Sequence, residues 1–262
     1  AGTRRGMLDA RVAAARDAVD VAKDRIRDDD RIRVSLPDSA VPRGRRLAVL
    51  IGSDGRQIVL AGPQRVALTG PNGVGKTTLL TQLLGSGRVQ AARAEALTPR
   101  IGYLPQRLDN LDDEQSVIDT LRAVAPNVTE GELRSQLAGF LLRGDAVHRL
   151  VGDLSGGERF RVALAGLLLA DPPPELLVLD EPTNDLDIDT LELLEELLQG
   201  YEGTVFLVSH DRAFLDNVVT STLVWEGPGQ WREYEGGVQD WLAQSNRSRS
   251  LAGGPAVPEK NT

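Results

Sequence analysis

The sequence predicts an α/β protein built on a doubly wound, mainly parallel sheet. Three observations predict it. Short apolar runs alternate with runs of helical spacing from residue 65 onward. The run LLVL at 176–179 is apolar at every position, as a strand buried on both faces requires. The loop GPNGVGKT at 70–77 lies between a predicted strand and a predicted helix.

The first predicted element stands outside this sheet. Leu8, Val12, Ala15, Val19, Ala22 and Ile26 recur at spacings of four and three, which is the seam of a helix packed on a second helix. Three aspartates at 28–30, then Pro37, Pro42 and Gly44, end it and open a connector. Residues 47–51, 57–60 and 65–69 read as strands, parted by glycine turns at 52–55 and 62–63. A helix at 78–84 continues the glycine loop. A strand at 100–103 follows, then helices at 117–124, 130–142 and 158–170. The strand at 176–179, a helix at 191–198 and a buried strand at 204–209 complete the alternation. Strands at 222–225 and 230–234 and a short helix at 238–243 close the domain. Residues 246–262, rich in Ser, Gly, Pro and Arg, are expected to be disordered.

Composition excludes several function classes. The chain has 262 residues, 41% hydrophobic and 26% charged, as in an ordinary soluble domain. It has no Cys, so disulfides, thiolate metal sites and thiol chemistry are absent, in agreement with a reducing cytoplasm. No apolar run approaches the roughly 18 residues a membrane span needs, so no membrane insertion is expected. The net charge of -8 divides unevenly: residues 1–46 carry +4 and the rest -12. The acidic body disfavours non-specific nucleic-acid binding, while the basic arm is either a solvated helix or a contact for phosphate backbone. The chain begins at Ala1, which suggests a piece of a longer protein.

The loop at 70–77 fits the Walker A pattern. Gly70, Pro71, Asn72, Gly73 and Gly75 let backbone N–H groups wrap phosphates, Lys76 reaches the β and γ oxygens, Thr77 binds magnesium, and Thr78 joins the nucleotide contacts. The strand at 176–179 runs into two acids. Asp180 holds magnesium through water, and Glu181 polarises a water for attack on the γ-phosphate; a helix cap is the plain alternative. His210 follows the next buried strand, and Gln106, in YLPQ, follows another, in reach of the metal or the attacking water. Taken singly, a Gln or His in a loop is usually no more than a polar side chain in water.

A second glycine turn, LSGGE at 154–158, precedes a helix. The N–H groups of Ser155, Gly156 and Gly157 and the helix N-terminus make a second anion site. Lys76 already serves the nucleotide held by its own domain. The second turn is therefore expected to face the γ-phosphate of a nucleotide on another copy of the domain.

In order and spacing, Walker A, YLPQ, LSGGE, LLVLDE, EPTNDLD and VSHD resemble the cassette of ATP-binding-cassette proteins over roughly residues 45–245. The resemblance implies a P-loop ATPase that uses ATP and Mg2+, with an N-terminal antiparallel β part beside the parallel core and a helical signature subdomain at about 107–160. It makes Gln106 a metal contact with Thr77 and Asp180, Ser155, Gly156 and Gly157 the signature turn, Leu186 and Asp187 the D-loop, and His210 the switch histidine. Within the superfamily, the block LSGGERFRVALAGLLLADPPPELLVLDEPTNDLD and the ending WREYEGGVQDWL resemble the F subfamily, twin-cassette proteins that act on ribosomes. The resemblance then implies a second, C-terminal cassette preceded over residues 1–44 by the end of an inter-cassette linker and a connector. Its implied partners are another cassette and the ribosome or its RNA, in translation or in ribosome protection against antibiotics, in the cytoplasm. An ATPase subunit of a membrane transporter shares the motifs, and a clamp that hydrolyses little is a third reading that Glu181 argues against. One departure stands out. Cassettes usually carry an aromatic residue ahead of Walker A to stack on adenine, and residues 47–69 contain no Phe, Tyr or Trp. A second, Asp185 where many F-subfamily members have His, weakens little.

Overall fold

A computed structural model describes residues 36–251 except 87, 89–91 and 228. The predicted heptad helix and the residues beyond 251 lie outside the described residues.

Two sheets are present. The smaller has the strand order β2-β1-β4, all antiparallel, from β1 (Arg46–Ile51), β2 (Gln57–Ala61) and β4 (Arg93–Ala96). The larger has six strands in the order β5-β6-β7-β3-β8-β9: β3 (Arg65–Thr69), β5 (Ile101–Leu104), β6 (Leu176–Asp180), β7 (Thr204–Val208), β8 (Ser221–Gly227) and β9 (Gln230–Glu235). Its first five strands are parallel, and β9 returns antiparallel to β8. β6 and β7 are buried at every position, which is why their sequences are apolar throughout rather than alternating.

The core lies between the sheets. α1 (Lys76–Leu83) sends Leu79, Leu80 and Leu83 into a cluster with Leu47 and Leu50 of β1, Leu68 of β3, Val178 of β6 and Phe206 of β7. Each such side chain contributes about 1.5–3 kcal/mol by leaving water. Val41, in the connector ahead of β1, is 5% exposed and belongs to this cluster, so the connector packs on the body before the first strand begins. Below the parallel sheet, Glu175 is buried and receives Arg45 at 2.8 Å, Arg100 and the Thr98 hydroxyl, tying the starts of β1, β5 and β6 together.

Helices begin where the side chains cap them. Ser116 caps α2 (Val117–Val124), Thr129 caps α3 (Glu130–Gly139) and Ser155 caps α4 (Gly156–Leu168). Asp187 caps α5 (Ile188–Gly200) through the Thr190 N–H, and Asp211 caps α6 (Arg212–Val218). α2, α3 and two short 3-10 turns at 144–148 and 151–153 form the helical part that leads into α4.

The structure differs from the sequence reading in places. β4 has no period to signal it, since it alternates between exposed and partly buried and gains its place by pairing with β1. α3 stops at Gly139 rather than 142, because Leu141 takes a left-handed backbone (φ 59°). α6 was not anticipated. Residues 246–251, expected to be disordered, continue α7 (Val238–Leu251); Val238 and Ser245, seven residues apart and so on one face, are both buried.

Candidate functional site

The parallel order decides where chemistry collects. β3, β5, β6 and β7 all point the same way, so the loops after them meet at one sheet edge. There a cleft of about 500 Å³ is lined by Asn72, Gly73, Gly75, Lys76, Thr77 and Thr78 from the loop after β3, Gln106 after β5, Asp180, Glu181 and Asn184 after β6, and Val208 and His210 after β7.

The phosphate loop supplies a cation in a low-polarity setting. Gly73 and Gly75 have φ of 80° and 97°, which a side chain would strain, and this bends the loop around its own centre. Lys76 is 8% exposed; its ammonium donates to the carbonyls of Gly70 (2.8 Å) and Pro71 (3.2 Å), leaving one of three N–H donors for a ligand. Burial pushes its pKa down, while the nearby charges of Glu181 and Asp180 oppose that.

Opposite it stand the two acids. Asp180, 3% exposed, is pushed up by burial and held back by a hydrogen bond with the Thr77 side chain and by the charge of Lys76. The Tyr103 hydroxyl, pushed up by burial and by Asp180, is a neighbour that sequence reasoning did not mark. Glu181 has a left-handed backbone (φ 51°) and donates its N–H to Val208 O at 2.9 Å, so the strand pairing carries one residue past β6 and then turns sharply. Its carboxylate accepts the His210 N–H over 3.2 Å, and the His210 Nε2 stands 3.2 Å from the other oxygen. Behind them, Thr183 and Ser209 share a 3.0 Å hydroxyl hydrogen bond that ties the two loops together.

The residues fit a nucleotide with magnesium. A buried ammonium with a free donor beside backbone N–H groups suits a polyphosphate. Among the described residues no group of three or more His, Cys, Asp or Glu is arranged to hold a metal ion by itself. A metal here must therefore draw on Thr77, Asp180, Gln106, water and the phosphates themselves, which is how Mg2+ is bound.

The signature turn is elsewhere. Ser155 and Gly156 are exposed, and none of Ser155, Gly156 and Gly157 lines the cleft. Ser155 and Glu158 close a capping box: the Ser155 hydroxyl accepts the Glu158 N–H (3.2 Å) and the Glu158 carboxylate accepts the Ser155 N–H (2.8 Å). Arg149 braces that carboxylate at 2.8 Å. The S-x-x-E spacing that announces the box is legible in the sequence. Asn184 and Val208 line the cleft without having been marked. Both had a signal, since Asn184 lies within EPTNDLD, three residues after Glu181, and Val208 opens VSHD.

The family described as "ABC transporter" matches residues 58–184. The chain is 44% identical over 192 residues to "ATP-binding protein Uup" of Escherichia coli (strain K12), covering 71% of this chain and 30% of that protein. It is 37% identical over 225 residues to "Uncharacterized ABC transporter ATP-binding protein YfmR" of Bacillus subtilis (strain 168), covering 81% and 35%. Among solved structures it resembles a chain of "Model of ribosome-bound archaeal Pelota and ABCE1", with TM-score 0.60, 25% identity and coverage of 80% and 37%. The chain thus spans about a third of the length of the curated relatives it matches. Among the described residues no helix is long and apolar enough to cross a membrane.

Proposed function

The chain belongs to the ATP-binding-cassette ATPases, as one cassette of the F type, and from that premise we propose that it is the C-terminal cassette of a twin-cassette protein whose closure on ATP acts on the ribosome. The observation that carries this reading is the separation of Ser155, Gly156 and Gly157 from a cleft that otherwise has cradle, acid pair and histidine. A second cassette is needed to bring such a turn over the γ-phosphate.

In this reading the phosphate loop binds the triphosphate and Lys76 aligns its β and γ oxygens. Glu181 accepts a proton from a water as that water's oxygen bonds to the γ-phosphorus and the bridging P–O bond breaks. His210 holds the γ-phosphate and, through its 3.2 Å contacts, the Glu181 carboxylate. Thr77 and Asp180, with Gln106 in reach, would hold magnesium, and the ion would supply positive charge to offset that of the phosphates. Thr78 and the loop residues Asn72 and Gly73 complete the cradle.

The ribosome as partner, and with it a cytoplasmic site of action in translation or antibiotic protection, is supported by the F-type relatives and by the ribosome-bound neighbour. Two measurements test the proposal. Lys76→Ala and Ser155→Arg chains, each inactive alone, should regain about one competent site per mixed pair when combined; no recovery at any ratio counts against the shared site. The full-length protein should sediment with ribosomes in a salt-sensitive manner. Absence of sedimentation would favour a transporter ATPase subunit instead.

A further inference from the structure

The cleft holds groups for phosphate and metal, and the segment 47–69 contributes no aromatic side chain for a base. A residue from far along the chain reaches the start of the phosphate loop, next to the residues that line that cleft though not among them. β8 runs parallel to β3 with Val224 opposite Thr69, so Trp225, the next residue of β8, comes beside Gly70, the first residue of the phosphate loop. A Cβ placed on Gly70 would stand 2.7 Å from the Trp225 Cβ and 3.5 Å from both the Trp225 Cγ and the Val74 Cγ2. Gly70 is therefore glycine because Trp225 lies against it.

The hairpin that carries Trp225 also touches the turn between β1 and β2. The Ser53 N–H donates to Gly229 O at 2.7 Å, and the same oxygen lies 3.0 Å from where a Gly52 Cβ would be. Three segments thus converge: the phosphate loop, the β1–β2 turn and the β8–β9 hairpin. Trp231, paired with Trp225 across the ladder, is 8% exposed inside the core. Trp225, two residues before the end of β8, packs on that core yet keeps part of its surface open.

We propose that Trp225 is the platform for the purine base, so that base recognition in this chain comes from the C-terminal hairpin rather than from the strand ahead of the phosphate loop. The inference rests on the nucleotide reading above. An indole offers a flat apolar face beside a site whose other contacts are polar, and stacking on such a face accepts any base.

Calorimetry on the full 262-residue chain with magnesium tests it, using the non-hydrolysable analogue AMP-PNP and inorganic tripolyphosphate as probes. Trp225→Ala should weaken AMP-PNP by roughly 5- to 150-fold, the range expected for loss of a stacked base, and leave tripolyphosphate unchanged. Trp225→Phe should retain AMP-PNP affinity, while losing an indole emission change that AMP-PNP causes in the wild type and tripolyphosphate does not. Unchanged AMP-PNP affinity in Trp225→Ala, or equal weakening of both probes, overturns the inference. If the wild-type chain bound neither probe, the nucleotide reading itself would fail, an outcome distinct from those two.

Discussion

His210 and the Glu181 carboxylate are joined twice, by the His210 main-chain N–H (3.2 Å) and by its imidazole Nε2 (3.2 Å). The end of β7 therefore sets the position of the acid at the end of β6. Neighbouring parallel strands make this possible, since Asp180 and Val208 lie opposite each other in the ladder and Glu181 pairs one step further.

Glu181→Gln keeps the side-chain shape and one acceptor but removes the proton acceptor. Phosphate release should slow by about 10²- to 10⁴-fold with ATP still bound, as for loss of a general base. Unchanged turnover would take Glu181 out of that role. His210→Ala removes the Nε2 contact while keeping the main-chain one, and should lower turnover too, with a smaller effect on ATP affinity than Lys76→Ala.

Asp180 exchanges stability for function. Its folded pKa is raised, so ionising it costs native-state stability: the contribution is most favourable below the ordinary aspartate range and declines as pH rises through the raised value. In Asp180→Asn, nucleotide-free protein should melt higher at neutral pH, and that part of the pH dependence should vanish. Magnesium-dependent ATP affinity should fall by about 10- to 100-fold, as for loss of an outer-shell metal partner. A variant melting lower than wild type would contradict this account.

Glu175 has the opposite sign. Burial alone would push its carboxyl up, but the hydrogen bonds from Thr98 and Arg100 and the charges of Arg100 and Arg45 outweigh that and hold it low. Its contribution is therefore present above the ordinary glutamate range and lost as pH falls through the lowered folded value. Glu175→Gln should cost about 2–4 kcal/mol in urea unfolding at neutral pH, with the gap to wild type closing in acid. A gap independent of pH would mean that shape, not charge, matters at this position.

Ser155 caps α4, and the proposed function gives it a phosphate contact as well; substitution can separate the two. Ser155→Ala should lower stability by about 1 kcal/mol through loss of the cap, whereas Ser155→Gly should cost only a few tenths. Both remove the hydroxyl from a facing phosphate, so both should impair hydrolysis alike. Thermal melts beside turnover assays distinguish the two effects; activity that followed stability alone would argue against a phosphate contact.

Much of the cleft was legible in the sequence because its parts are local. A phosphate loop needs glycines at fixed offsets, and a strand buried on both faces must be apolar until its acids emerge, so Lys76, Asp180 and Glu181 could be placed without coordinates. Gln106 and His210 depended on knowing which strands end nearby. The capping box at Ser155 was written in S-x-x-E, yet the two glycines drew attention to phosphate first. β4 and α6 were illegible, since each is held by its neighbours rather than by a period of its own.

From the order of residues alone come the kinds of chemical group, the strand ends that carry them and the helix starts, since each depends on contacts within a few positions along the chain. Tertiary structure decided the rest. It set β3 between β7 and β8, left Ser155, Gly156 and Gly157 out of the cleft that Lys76 lines, and put Trp225 against Gly70. Those pairings join residues dozens to more than a hundred positions apart, and burial of a shared core, not any repeat in the sequence, selects them.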